Sequence, residues 1–221
     1  MNSRPQPVNS LYAFTLIELL TVITIIAILM GLLFPAVGIV KDQAKKAQAK
    51  TDVTNIAAAV KQYYTEYGKY PVGNSTVSVG QDLTFDGTTK HNVDLFDILR
   101  NYGSPNAYNP RSIVFFDGKS VSDPTNPRGG FLTQDANSIP NRSYVDPWGY
   151  EYRIAVDSDY DNIIKPTGTF YNDFQNDNAP RTGVCVWSVG KDGILGDKSF
   201  QGYYRQQGTG GKLSDDVVSW Q

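Results

Sequence analysis

No charged residue occurs between Leu19 and Val40. A helix apolar on every side has to be surrounded, by protein core or by lipid. A run of about 20 apolar residues is long enough to cross a bilayer as a helix. Past Val40 the pattern changes without a stop signal. Lys41, Asp42, Lys45, Lys46 and Lys50 bring charge, while Ala47, Val53, Ile56, Ala57, Val60, Tyr63, Tyr64 and Tyr67 recur at helical steps. That spacing is the signature of a helix with one buried stripe. Gly68 then offers a C-cap, and Pro71 lies just beyond it. The pattern predicts one helix from about Phe14 to Tyr67, lipid-like in its first half and amphipathic in its second. At 1.5 Å per residue it is roughly 80 Å long.

Glu18 is the exception at the start of the apolar run. A carboxylate inside a bilayer costs on the order of 2.5–3.5 kcal/mol at mid-membrane and less toward the edge. Two readings follow. The side chain sits at the helix N-terminus, where the dipole favours it, or it is kept for a partner charge inside an assembly.

The octapeptide Ala13-Phe14-Thr15-Leu16-Ile17-Glu18-Leu19-Leu20 resembles the cleavage and methylation segment of type IV prepilins and type II secretion pseudopilins. The resemblance covers about ten residues. Ala13 stands where the family usually has Gly, and Arg4 is the one basic residue of the leader. Pro35 sits where the family usually carries a proline inside the apolar helix. The resemblance implies that residues 1–13 are a leader, cut by a prepilin peptidase between Ala13 and Phe14, with the new N-terminus methylated. It gives Glu18 the role of an assembly residue. It also implies a span over 14–40 and a head over 41–221 that includes the amphipathic half of the helix. An ordinary secretory signal is the rival, but its apolar region would be far too long and the helix continues out of it. Lys41, Lys45 and Lys46 fall on the proposed outer side, against the positive-inside tendency, so orientation rests on the motif.

With 221 residues, 14 Tyr and 10 Phe, the chain has material for one head, and 20 Gly with 12 Pro make that head loop-rich. The net charge of −2 gives no nucleic-acid footprint. A lone cysteine, Cys185, excludes an internal disulfide and reads as a small buried hydrophobe. In chain order, 73–89 reads as a polar loop, His91 as an exposed loop residue, and 92–102 as a short helix capped by Asn92 or Asp94. Ile113–Phe116 reads as a strand and 118–142 as an irregular insert. Asp146-Pro147-Trp148-Gly149 is a turn signal before a strand over 150–156, and it resembles a hallmark of the major pseudopilin head. Asp157, Asp159 and Asp161 begin like a calcium loop, but Asn162 and Gly168 occupy the places of its essential Gly and Glu, so a hairpin turn is the expectation.

The C-terminal segment runs from a strand over 184–189 into Gly190-Lys191-Asp192-Gly193 and on to Ser214-Asp215-Asp216 and Trp220. It resembles the calcium-binding loop of major pseudopilins, interrupted by an insert over 198–212. The resemblance implies bound calcium with Asp192, Asp197, Asp215 and Asp216 as candidate ligands. Calcium takes six to eight oxygens, which carboxylates and the carbonyls of Gly-rich turns supply. A solvated acidic tail is the alternative. No nucleophile elbow, His-rich metal site or Walker loop is present, so the chain is not expected to be an enzyme.

The expectation is a pilin-like α+β subunit, a long N-terminal helix packed on a small antiparallel sheet. It is expected in the inner membrane as a single-pass protein with a periplasmic head, and in a periplasmic filament. Its implied partners are the prepilin peptidase, further copies of itself, other pseudopilins and the inner-membrane secretion platform, and no nucleic acid. A type IV pilin of a surface fibre and a membrane-anchored binding module remain open.

Overall fold

The computed structural model describes residues 15–75, 80–103, 106–165, 170–174, 178–205 and 212–220, with the side chains at 32, 35 and 36 outside the description. The leader, Ala13 and Phe14 therefore lie outside the described residues, as do the Pro35 side chain and part of the 198–212 insert. The chain divides into two units, Met1–Gln43 and Ala44–Gln221.

A single α-helix, α1, runs from Leu16 to Tyr67. In the first unit the described side chains from 15 to 41 are exposed, Leu16 by 83% and Phe34 by 82%. Among the described residues no helix is long and apolar enough to cross a membrane. The bilayer span over 14–40 is thus not supplied by the structure and rests on the sequence, where the uncharged run continues through 32, 35 and 36.

In the second unit α1 buries one face. Ala49, Val53, Ile56, Ala57, Val60 and Tyr63 are buried, and full burial of a Val or Ile contributes about 1.5–3 kcal/mol. Two members of the expected stripe fall outside it. Ala47 is exposed, and Tyr64 stays 39% exposed while stacking on Tyr70 at 4.6 Å. The helix stops at Gly68, which adopts φ +67 and donates its N–H to Tyr64 O at 2.8 Å. Only glycine takes that conformation without strain.

The head is α+β. Strands β1 (Leu83–Phe85), β2 (Gly130–Phe131), β3 (Tyr144–Val145), β4 (Arg153–Val156), β5 (Val184–Ser188), β6 (Gly196–Asp197), β7 (Phe200–Gln201) and β8 (Val217–Val218) accompany a second helix, α2 (Val93–Leu99). The central sheet has the antiparallel order β1-β4-β5-β8, and β2-β3 and β6-β7 form two-stranded ribbons. Side chains alternate across it, as strand geometry requires. Ile154, Val156, Val184 and Val186 join the core of the α1 face, with Leu95, Phe96 and Leu99 of α2. Ala155, Cys185, Trp187 and Val218 face a second core with Ile164, Phe170, Tyr171, Leu195 and Tyr204. Cys185 is free and buried there.

Several expectations are corrected. Ile113–Phe116 is not a strand. The amides of Phe115 and Phe116 both reach Leu99 O, so no ladder forms, although Phe116 is buried. The 73–89 loop contains β1. Asn92 precedes α2 but makes no side-chain cap. Its carboxamide instead donates to Tyr144 O and Tyr152 O and accepts from Tyr144 N, each at 2.9 Å, tying β3 to the approach of β4. His91 is not a free loop residue: Nδ1 lies 2.7 Å from Oε2 of the buried Glu151.

Candidate functional site

At the start of α1 the sequence Thr15-Leu16-Ile17-Glu18 builds a reciprocal cap. Glu18 Oε2 accepts from Thr15 N at 2.8 Å and from Thr15 Oγ1 at 2.6 Å, while Glu18 N donates to Thr15 Oγ1 at 3.3 Å. This is a capping box, which satisfies two N-terminal donors that have no partner within the helix. Both bonds from Thr15 fall on Oε2. Of the expected processing and assembly residues, only Glu18 lies among the described ones.

The C-terminal acids are split by the fold. Asp215 Oδ2 accepts from Lys191 N at 2.6 Å and from Asp192 N at 3.4 Å, and Asp192 Oδ1 accepts from Ile194 N at 2.9 Å. Gly190, at φ +68, admits this approach, since a Cβ there would meet Asp215 Oδ2 at 2.7 Å. Asp216 is buried, and its Oδ2 accepts from Tyr171 Oη at 2.6 Å and Gly196 N at 2.7 Å. Its Oδ1 is buried with no hydrogen-bond partner among the described residues. Burial pushes the Asp216 carboxyl up to about 7, with the charges of Asp215 and Asp192 adding to the effect. Asp197 is turned elsewhere. Its Oδ1 accepts from Ser199 N and Oγ, and its Oδ2 pairs with Lys212 Nζ at 3.2 Å. Those hydrogen bonds hold it down at about 2. Asp192, Asp215 and Asp216 therefore form one neighbourhood, and Asp197 stands outside it.

A further buried acid ties this loop to the turn before β4. Asp146 Oδ1 accepts from the N–H groups of Trp148, Gly149 and Tyr150 at 2.9, 2.8 and 3.0 Å. Its Oδ2 accepts from Ser188 Oγ at 2.6 Å, and that hydroxyl in turn accepts from Gly190 N at 3.1 Å. The Asp-Pro-Trp-Gly turn and the start of the C-terminal loop thus share one carboxylate. The turn was visible in the sequence; the bond to Ser188, 42 positions away, was not.

A stretch of 58 residues is 45% identical to the type II secretion system core protein G of Pseudomonas aeruginosa, covering 26% of this chain and 41% of that protein. The match thus spans about two-fifths of the length of the curated relative. No family model matches the chain, and no solved structure matches it significantly.

Proposed function

We propose that the chain is a structural subunit of a type II secretion pseudopilus. The observation that carries this reading is the 45% identity over 58 residues to the core protein G of such a system. The exposed apolar side chains of the first unit support it, because a surface of that kind is stable only when lipid or other chains cover it. In this reading the prepilin peptidase cuts between Ala13 and Phe14, and Phe14 becomes the methylated N-terminus. The span over 14–40 holds the subunit in the inner membrane with the head in the periplasm. Polymerisation then transfers the helix from lipid into a filament of further copies and other pseudopilins, built on the secretion platform. The role is structural and calls for no catalytic group.

Cleavage leaves an ammonium group on Phe14. A buried unpaired charge is costly, and an opposite charge on a neighbouring subunit offsets that cost. Glu18 is the acid of the apolar run, so it is the partner this reading assigns. The C-terminal acids are the calcium site that this reading assigns. Among the described residues Asp216 Oδ1 is a buried acceptor without a hydrogen-bond partner, the charges of Asp215 and Asp192 are felt at that carboxyl, and carboxylate oxygens are the donors calcium takes. Asp192, Asp215 and Asp216 would hold the ion, which would supply positive charge against these acids.

Mass spectrometry of membrane-extracted protein tests processing. The reading expects a mature chain that begins at Phe14 with one added methyl group. Material that retains Met1 throughout would overturn it.

A further inference from the structure

At the opposite end of the central strands lies a second group of acids, with no part in the proposed filament role. Asp82 immediately precedes β1, and Asp157 immediately follows β4. One ligand oxygen from each of Asp82, Asp157 and Asp159 lies within 4.8 Å of the others. Oxygens this close can reach one cation, and a set made of carboxylates and water suits a hard cation with a flexible shell such as calcium.

Proximity of acids alone makes no site, and the state of the Asp157 carboxylate is a second, independent observation. Asp157 is only 3% exposed, and while its Oδ2 accepts from Asn162 N at 2.9 Å, its Oδ1 is buried with no hydrogen-bond partner among the described residues. A buried carboxylate oxygen in that state loses its hydration and gains nothing in return. Asp82 is fully buried, and its oxygens accept backbone N–H groups from Ser158 at 2.9 Å and Lys165 at 2.5 Å. The Lys165 ammonium is paired with Asp161. Burial raises the carboxyls of Asp82 and Asp157, and Asp159 beside them adds to both.

We propose that Asp82, Asp157 and Asp159 bind a calcium-class divalent cation that fastens the entry of edge strand β1 to the exit of β4. Asp82 and Asp157 form the buried floor, and the exposed Asp159 closes the outer side. The three carboxylates leave the rest of a calcium shell to water. The site stands independently of the C-terminal acids.

Isothermal titration of the full chain in mild detergent with calcium chloride tests it, using the wild type, Asp159→Asn and Asp215→Asn. Asp159→Asn should lose one calcium per chain, or weaken that event at least tenfold, while Asp215→Asn should retain it. Magnesium should compete at least tenfold less well. Asp159 is exposed, so its variant should melt with the metal-free wild type. Asp157→Asn, which keeps an acceptor for Asn162, is the second variant and should lose the same event. An unchanged calcium titration in Asp159→Asn and Asp157→Asn would overturn the site. A single event lost in Asp215→Asn but kept in both other variants would overturn it too, and would leave the C-terminal reading standing. An event kept in Asp215→Asn and lost in Asp159→Asn would support this site alone.

Discussion

β4 and β5 pair in the register Arg153↔Trp187 to Val156↔Val184, so Asp146 and Ser188 mark one end of the pair and Asp157 the other. At the first end both oxygens of Asp146 are taken, three N–H donors on Oδ1 and Ser188 on Oδ2. At the other end Asp157 keeps Oδ1 buried, with no hydrogen-bond partner among the described residues. Beside the first end, Asp216 shares the condition of Asp157 rather than that of Asp146. The difference separates two uses of a buried carboxylate. One whose lone pairs are filled by amides and a hydroxyl is a staple, complete within the chain. One with an oxygen left over can take a further partner, such as water or a cation.

The largest effect should come from the staple. Asp146→Ala would leave the N–H groups of Trp148 and Tyr150 and the Ser188 hydroxyl without this acceptor, while the Gly149 N–H keeps its second bond to Asp146 O. Each unsatisfied buried group costs about 1–3 kcal/mol, and partial rescue by water brings the expected loss to about 4 kcal/mol. Urea unfolding followed by tryptophan fluorescence measures it. The loss should be the same with calcium and with chelator. A loss that calcium repairs would place Asp146 in the other class and break the comparison.

The staple also has a pH signature. Burial pushes the Asp146 carboxyl from an ordinary 3.8 up to about 6. A group with a raised folded pKa binds its proton more tightly in the folded chain, so its contribution is full at low pH and declines as pH rises from about 4 to about 6. At 1.36 kcal/mol per unit the decline is on the order of 3 kcal/mol. Asp146→Asn keeps an acceptor and removes the titration, so the variant's stability relative to wild type should improve across that window. A constant difference between variant and wild type from pH 4 to 6 would show that Asp146 does not titrate there.

Calcium removal should act on the unfilled class. An ion that binds only the folded chain at a hundredfold excess over Kd stabilises it by about 2.7 kcal/mol, which lowers the melting temperature of a head this size by several degrees on chelation. Asp216→Asn, which keeps an acceptor for Tyr171 and Gly196, should reduce the chelator effect, whereas Asp197→Asn should leave it intact, because Asp197 is committed to Ser199 and Lys212. Identical melting curves with and without chelator would remove calcium from the account of the C-terminal acids.

The same contrast explains what the sequence revealed. Interactions local in the chain left a pattern: the stripe Val53, Ile56, Ala57, Val60 and Tyr63, the stop at Gly68, the turn around Asp146, and the alternation in β4 and β5. Interactions closed across the chain left none. β1 is three residues long inside a Gly/Ser/Thr-rich stretch, and its pairing with β4 is what makes it a strand. His91 and Glu151 are 60 positions apart, and Asp82 meets a loop more than 70 positions downstream. Ile113–Phe116 erred in the other direction, since its apolar run is spent on burial against α2 rather than on a ladder. Asp192, Asp215 and Asp216 were nameable from the motif, but only the fold shows that Asp197 turns away from them.

Glu18 gives the smallest effect on stability and the sharpest test of the two classes. Its Oε2 accepts from the Thr15 N–H and hydroxyl, which makes it a staple of the helix start, and a cap of this kind contributes about 1 kcal/mol. The assembly reading adds a second demand, a full negative charge for the Phe14 ammonium of a neighbouring subunit. Gln serves in a capping box as Glu does, but carries no charge. Glu18→Gln should therefore leave insertion and helix content at wild-type levels and yet assemble filaments as poorly as Glu18→Ala. Sedimentation of sheared filaments, compared with total membrane-bound subunit, separates the outcomes. Wild-type filament yield from Glu18→Gln together with poor yield from Glu18→Ala would assign Glu18 to the cap alone and withdraw the charge pairing.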